Sequence, residues 1–179
     1  MAAESWQRAE IPGPKKALVM KDPKVAYAMI KRAKHPVLVL GEFADEMKVG
    51  DGTLVDYGAS LHKATGITVV ATATYVKKLS SLGVEAPWMP LTDVGNRLVD
   101  ESFEGFDGRG VHDLALFVGF RYYSAWLILS GLKHFAKHLK TISLDRFYQP
   151  HASWSFPNLR QEDWERYLLE LSDMLGVSG

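Results

Sequence analysis

Four short stretches carry the residues whose type and placement could do chemistry in this chain. They are Gly41-Glu42, Thr74, Gly119-Phe120-Arg121 and Asp145, and each follows a short apolar run. A glycine at such a place lets backbone approach a ligand closely. An arginine can hold a phosphate, and a carboxylate can accept hydrogen bonds from a ribose. Together they would suit a dinucleotide such as FAD, bound beyond the ends of a sheet. The plainer reading makes the two glycines strand terminators and Arg121 a surface residue. No GxGxxG follows any apolar run. Gly105, Gly108 and Gly110 precede one instead, and the absence of GxxxxGK[ST] excludes a P-loop ATPase by motif. His134 and His138 have a spacing that chelates metal on a continuous helix. No third ligand stands near them, and beside Lys133 and Lys137 they read as cations at a helix C-terminus. No serine sits in a GxSxG turn, and Asp45, Glu46 and Asp56 read as solvated. No catalytic residue and no metal ligand is assigned.

The elements that must position these residues alternate. Short continuous apolar runs over 37–40, 67–71, 114–118 and 141–144 read as strands buried on both faces, which is the pattern of parallel sheets. Helical spacing follows Asp22-Pro23, where Asp22 can cap and Pro23 can open a helix, and it recurs after Asp51 or Thr53 and over 74–81. Thr92 is the expected cap of a further helix, and an apolar helix is expected over 122–135. The last helix carries Trp164, Leu168 and Leu171 on one face. The stretch 86–90 reads as a short extended piece and 101–111 as a surface loop. This argues for one α/β domain over 1–179, with an open, mostly parallel, Rossmann-like sheet between helices in three αβα layers. Residues 1–21 read as an arm that Trp6 pins down. Residues 146–179 read as an irregular aromatic tail followed by an amphipathic helix.

Composition narrows the function. The chain has 179 residues, 47% hydrophobic and 23% charged, enough to bury a substantial core. Lysine plus arginine and aspartate plus glutamate both number 21, which argues against a nucleic-acid partner. There is no cysteine, so the chain has no thiolate for an iron–sulfur cluster of its own. No run of about 18 apolar residues suggests a membrane span, the N-terminus lacks an apolar signal core, and a cytoplasmic setting is expected. Large rings concentrate between Phe147 and Phe156, more than an irregular tail needs. With Arg146 nearby they read as part core and part protein interface.

Several stretches also carry a resemblance by their order and spacing. They include Pro12-Gly13-Pro14-Lys15-Lys16-Ala17, Ile30-Lys31-Arg32-Ala33-Lys34 with Pro36-Val37-Leu38-Val39, and Ile67-Thr68-Val69-Val70-Ala71-Thr72. Gly108-Arg109-Gly110 before Asp113–Gly119, Tyr122-Tyr123 and the segment from Leu132 to Ser155-Phe156-Pro157-Asn158-Leu159 complete the set. From about residue 11 to the last helix the chain resembles the epsilon subunit of the archaeal acetyl-CoA decarbonylase/synthase (carbon monoxide dehydrogenase) complex. The resemblance implies a fold like the FAD-binding domain of thiamine-diphosphate enzymes. It also implies two epsilon chains bound to two carbon monoxide dehydrogenase alpha subunits, which hold the nickel and iron–sulfur clusters. The implied role is non-catalytic, stabilising the alpha subunit or assisting electron transfer to FAD, with no firmly bound cofactor. The alternative is an independent flavin- or nucleotide-binding electron-transfer protein.

Overall fold

A computed structural model describes residues 15–177. In order, the elements are β1 (Leu18–Val19), α1 (Lys24–Arg32), β2 (Pro36–Leu40), β3 (Lys48–Val49), β4 (Gly52–Thr53), α2 (Leu54–Thr65), β5 (Thr68–Ala71), α3 (Val76–Ser81), α4 (Leu91–Val99), β6 (Leu114–Val118), α5 (Tyr122–Phe135), β7 (Lys140–Ser143), β8 (Trp154–Ser155) and α6 (Gln161–Met174). Six strands form one sheet in the order β1-β8-β7-β6-β2-β5, every neighbouring pair parallel. β3 and β4 make a separate antiparallel pair.

Side chains alternate across the central strands because successive residues of a strand point to opposite faces. Leu38 and Leu40 of β2 join Leu114, Leu116 and Val118 of β6 against α1, α2, α3 and α6. Val37 and Val39 join Ala115 and Phe117 against α4 and α5. All of these strand residues are buried, so truncating one such leucine to alanine would cost about 2–5 kcal/mol. The three layers therefore follow from runs that are apolar on both faces.

Helix starts are set by local polar groups. Asp22 Oδ1 accepts the Lys24 amide at 2.8 Å, as its expected capping role requires. Of the two residues considered for the start of α2, Thr53 serves: its amide donates to Asp56 Oδ2 at 2.8 Å and its hydroxyl at 2.7 Å. Asp56, read as solvated, thus belongs to a cap. Lys78 of α3 reaches both Asp56 (3.1 Å) and Asp45 (2.7 Å), tying α3 to that cap. The expected cap at Thr92 is corrected. α4 runs from Leu91 with Pro90 in the cap position, two residues before Thr92, which lies inside the first turn.

The two ends of the chain also differ from expectation. Residues 1–14, and Trp6 with them, lie outside the described residues. The rest of the expected arm contains β1, which pairs with β8 at one edge of the sheet. The tail beyond Asp145 is not a loose interface strip. Tyr148 and Phe156 are fully buried, and Tyr148 Oη donates to the Ala17 carbonyl at 2.7 Å. Only Phe147 among its large rings is prominently exposed, at 48%. At the opposite edge, the extended piece over 86–90 bridges β5: Ala71 N donates to Pro87 O at 3.0 Å and Met89 N to Ala71 O at 3.1 Å. It shields what would be a bare strand edge.

Candidate functional site

The chain leaves β2 for β5 on one side, then crosses back to build β6 on the other. The strand order therefore reverses between β2 and β6, the place where open α/β sheets bind ligands. Gly41, Glu42, Gly119, Phe120 and Arg121 all stand at that reversal. The glycines, however, bring backbone to backbone. Gly41 N donates to Val118 O at 2.8 Å and Phe43 N to Gly119 O at 3.0 Å. A Cβ on Gly41 would sit 2.2 Å from the Gly119 carbonyl oxygen, and Gly119 holds φ +86°. The seam is closed by the chain itself.

Around the seam the charged groups find each other. Arg121 N donates to Glu42 Oε1 at 3.3 Å, and the Arg121 guanidinium lies 3.7 Å from the same carboxylate. It also donates to Tyr123 Oη at 3.3 Å and stacks over Phe43 at 5.4 Å. Its side chain stays 55% exposed, at the rim. Phe120 is buried. Thr74 is exposed in the turn between β5 and α3 and joins none of these contacts.

Asp145 is the buried group of the set. Its Oδ1 accepts the Gly119 amide at 2.7 Å, which makes it a brace for the β6 end as well as a candidate ligand contact. Burial pushes its carboxyl up to about 7, against the pull of the Gly119 and Phe120 amides. Its Oδ2 is buried and has no hydrogen-bond partner among the described residues. Beside it opens a cavity of about 320 Å³ bounded by Phe43, Phe120, Tyr122 and Phe147, with Arg146 and Gln149. Gln149 donates its amide to Tyr122 O at 2.9 Å, while its Oε1 is also buried and unpartnered. The cavity thus joins aromatic walls to two oxygens with unused hydrogen-bonding capacity, a combination that fits a planar ring bearing N–H groups. Gln149 carries no signal in the sequence. It reaches the site because the segment after Asp145 folds back under β7 before pairing as β8.

The base of the sheet holds a different cluster. His35, Asp107 and His112 offer ligand atoms within 4.8 Å of one another. Most of their hydrogen-bonding groups are already engaged, and only His35 Nδ1 has no partner among the described residues. Asp107 Oδ2 accepts from Thr68 Oγ1 at 2.6 Å and His35 Nε2 at 3.0 Å, and it pairs with Arg109 at 2.6 Å. His112 Nε2 accepts the Phe106 amide at 3.1 Å while Nδ1 faces the His35 carbonyl at 3.0 Å, so the ring is the neutral Nδ1–H form. Burial pushes this imidazole down. The cluster staples the glycine-rich loop to the sheet. Nothing local in the sequence links these residues. The His35–Asp107 contact alone spans 72 positions. The His134–His138 pair is broken by the end of α5 at Phe135, and His138 lies 3.7 Å from Glu101 instead.

Comparison with known proteins places these features in context. The family described as CO dehydrogenase beta subunit/acetyl-CoA synthase epsilon subunit matches residues 1–175. The chain is 38% identical over 163 residues to the acetyl-CoA decarbonylase/synthase complex subunit epsilon of Methanothermobacter thermautotrophicus, covering 91% of each protein. It is 39% identical over 175 residues to subunit epsilon 1 of Archaeoglobus fulgidus, covering 97% of this chain and 91% of that one. To subunit epsilon 1 of Methanosarcina barkeri it is 32% identical, covering 86% of each.

Proposed function

The chain belongs to the CO dehydrogenase beta subunit/acetyl-CoA synthase epsilon subunit family, and from that premise we propose that it is a non-catalytic subunit of an acetyl-CoA decarbonylase/synthase complex. Its partner in this reading is the carbon monoxide dehydrogenase alpha subunit, two alpha to two epsilon chains, whose fold it stabilises. The observation that carries the reading is the match to proteins named as epsilon subunits, over about nine tenths or more of each sequence. α5 supports it physically. Tyr123, Leu127 and Phe135 recur at helical spacing on its outward face and are 65%, 63% and 70% exposed. Three large apolar side chains on one line of a helix fit a protein contact better than water.

The test is an anaerobic pull-down of the tagged chain from its native extract, with mass spectrometry and metal analysis. A nickel–iron protein recovered at near-equal stoichiometry supports the reading, and its loss in Leu127→Glu assigns α5 to the contact. Recovery of the chain alone sinks it.

A second reading rests on the Asp145 cavity, which takes one end of a flavin. About 320 Å³ admits one planar ring and leaves the rest of a dinucleotide outside. A flavin bound there would supply electron transfer. The chain's own part is to stack the ring between Phe43, Phe120 and Phe147, and to offer Asp145 Oδ2 and Gln149 Oε1 as hydrogen-bond partners. Arg121 at the rim would meet a phosphate. Flavin-fluorescence quenching that saturates below about 100 µM FAD and is lost in Gln149→Leu supports this; no quenching at that concentration removes it.

A further inference from the structure

A second cavity, of about 300 Å³, lies at the other end of the strands, between the last turn of α5 and the start of β7. Lys15, Lys16, Lys133, Lys137 and Lys140 line it, and among the described residues no aspartate or glutamate does. Acids and bases are equal in number over the whole chain, so the lining is segregated by charge. Some of this charge answers the negative end of α5, and Lys133 donates to the Lys15 carbonyl, while Lys137 and Lys140 are exposed beside the cavity. His151 lines the same cavity. It is 5% exposed, packs edge-on against Trp126 at 4.6 Å, and has no hydrogen-bond partner at either ring nitrogen among the described residues. Buried imidazoles are normally partnered.

Two hydroxyls complete the lining. Thr141 Oγ1 accepts the Ser153 amide at 3.0 Å, and Ser153 Oγ accepts the Thr141 amide at 3.1 Å. Neither hydroxyl hydrogen goes to an acceptor among the described residues. The polar side chains of the lining are therefore donors and cations, set beside Leu132, Ala136, Leu139 and Ala152. Burial and the neighbouring Lys15 push the Lys133 ammonium down, and burial with Lys133 and His134 pushes the His151 ring down. Burial is the larger cause of both shifts, and the neighbouring cations add to it in the sense a bound anion would oppose.

We propose that this cavity binds a phosphorylated ligand, its terminal phosphate held by Lys137, Lys140 and His151 and by the Thr141 and Ser153 hydroxyls. A phosphate is favoured over a carboxylate because its oxygens accept from several donors at once and its charge approaches −2. The volume exceeds a phosphate group and leaves room for the moiety that carries it. The site is separate from the aromatic cavity, which lies beyond the opposite ends of the strands.

The test is a titration of the full chain with inorganic pyrophosphate at low ionic strength and about pH 6.5, followed by calorimetry and by the ¹⁵N resonances of the His151 ring. One saturable site is expected, with displaced His151 resonances. Lys137→Gln with Lys140→Gln should weaken binding about tenfold or more, while Lys63→Gln with Lys77→Gln, the same charge loss elsewhere, should change it by less than about twofold. The proposal is overturned by a titration that does not saturate by about 5 mM, by equal weakening in both double variants, or by binding that leaves the His151 resonances in place. Its outcome is independent of flavin quenching and of the pull-down.

Discussion

At the base of the strands, Asp107 receives hydrogen bonds from His35, Thr68 and Arg109, and His112 is engaged through both ring nitrogens. At their C-terminal ends, Asp145 and Gln149 each keep one buried oxygen to which no described residue donates. Both regions hold titratable groups in close quarters, yet they differ in what is left over. The basal cluster spends most of its hydrogen-bonding capacity on itself, leaving His35 Nδ1 without a partner among the described residues, and holds a loop. The upper one retains capacity next to a cavity. Unused capacity beside empty volume, rather than crowding of histidines and carboxylates, is the mark of a place that can take a ligand.

The largest expected effect tests how the upper region is closed. Gly41→Ala puts a methyl against the Gly119 carbonyl, where backbone must shift, and should cost more than about 4 kcal/mol in denaturant unfolding. Stability near that of the parent would mean the seam can open. Next is Asp145, whose folded value near 7 lies above the ordinary 3.8. Its neutral form is favoured by folding, so its contribution is full below about pH 4 and is lost as pH rises through about 7. Asp145→Asn should remove that decline and stabilise the chain by about 2–4 kcal/mol at pH 8. A pH profile unchanged by the substitution would refute the assignment.

Asp107 has the opposite sign. Despite the desolvation of its site, hydrogen bonds from Thr68, His35 and Arg109 hold its carboxyl well below the usual range. Its contribution is present above the ordinary carboxylate value and is lost as pH falls toward the folded one. Asp107→Ala should cost about 2 kcal/mol at neutral pH and flatten the acid side of the stability curve, with flavin quenching unchanged. The smallest effect sharpens the rule itself. The Tyr57 hydroxyl is also buried without a partner, but it borders neither of the cavities described. Tyr57→Phe should be neutral or stabilising by up to about 1 kcal/mol and leave both proposed ligands unaffected. A loss of flavin or pyrophosphate binding there would show that leftover capacity acts at a distance.

The central sheet was legible because its strands are apolar on both faces. The runs 37–40 and 114–118 reappear as Pro36–Leu40 and Leu114–Val118. β1 and β8 were not, since two residues carry no periodicity and pair only through tertiary placement. The strand-end residues were legible as a group, all but Thr74 meeting at the β2–β6 reversal or just beside it. Their partners were not: Asp145 is engaged by Gly119, 26 positions away, and Gln149 looks like any loop glutamine. The aromatic tail was read as half interface because ring content signals burial without saying by what. Tyr148 and Phe156 are buried by the chain's own sheet, and the exposed apolar line is on α5.

Among the described residues the first strand is completed from far along the chain. β1 pairs with β8, Tyr148 Oη donates to Ala17 O across 131 positions, and Tyr167 Oη donates to Lys21 O across 146. During synthesis, then, β1 is made well before its partner and has no strand to dock on until β8 has emerged. The sheet can form β2, β5 and β6 while the chain grows, but its β1 edge closes only once β8 is free to pair. A chain truncated after residue 145 would present β7 as a bare strand edge, the surface most exposed to premature pairing with a neighbour.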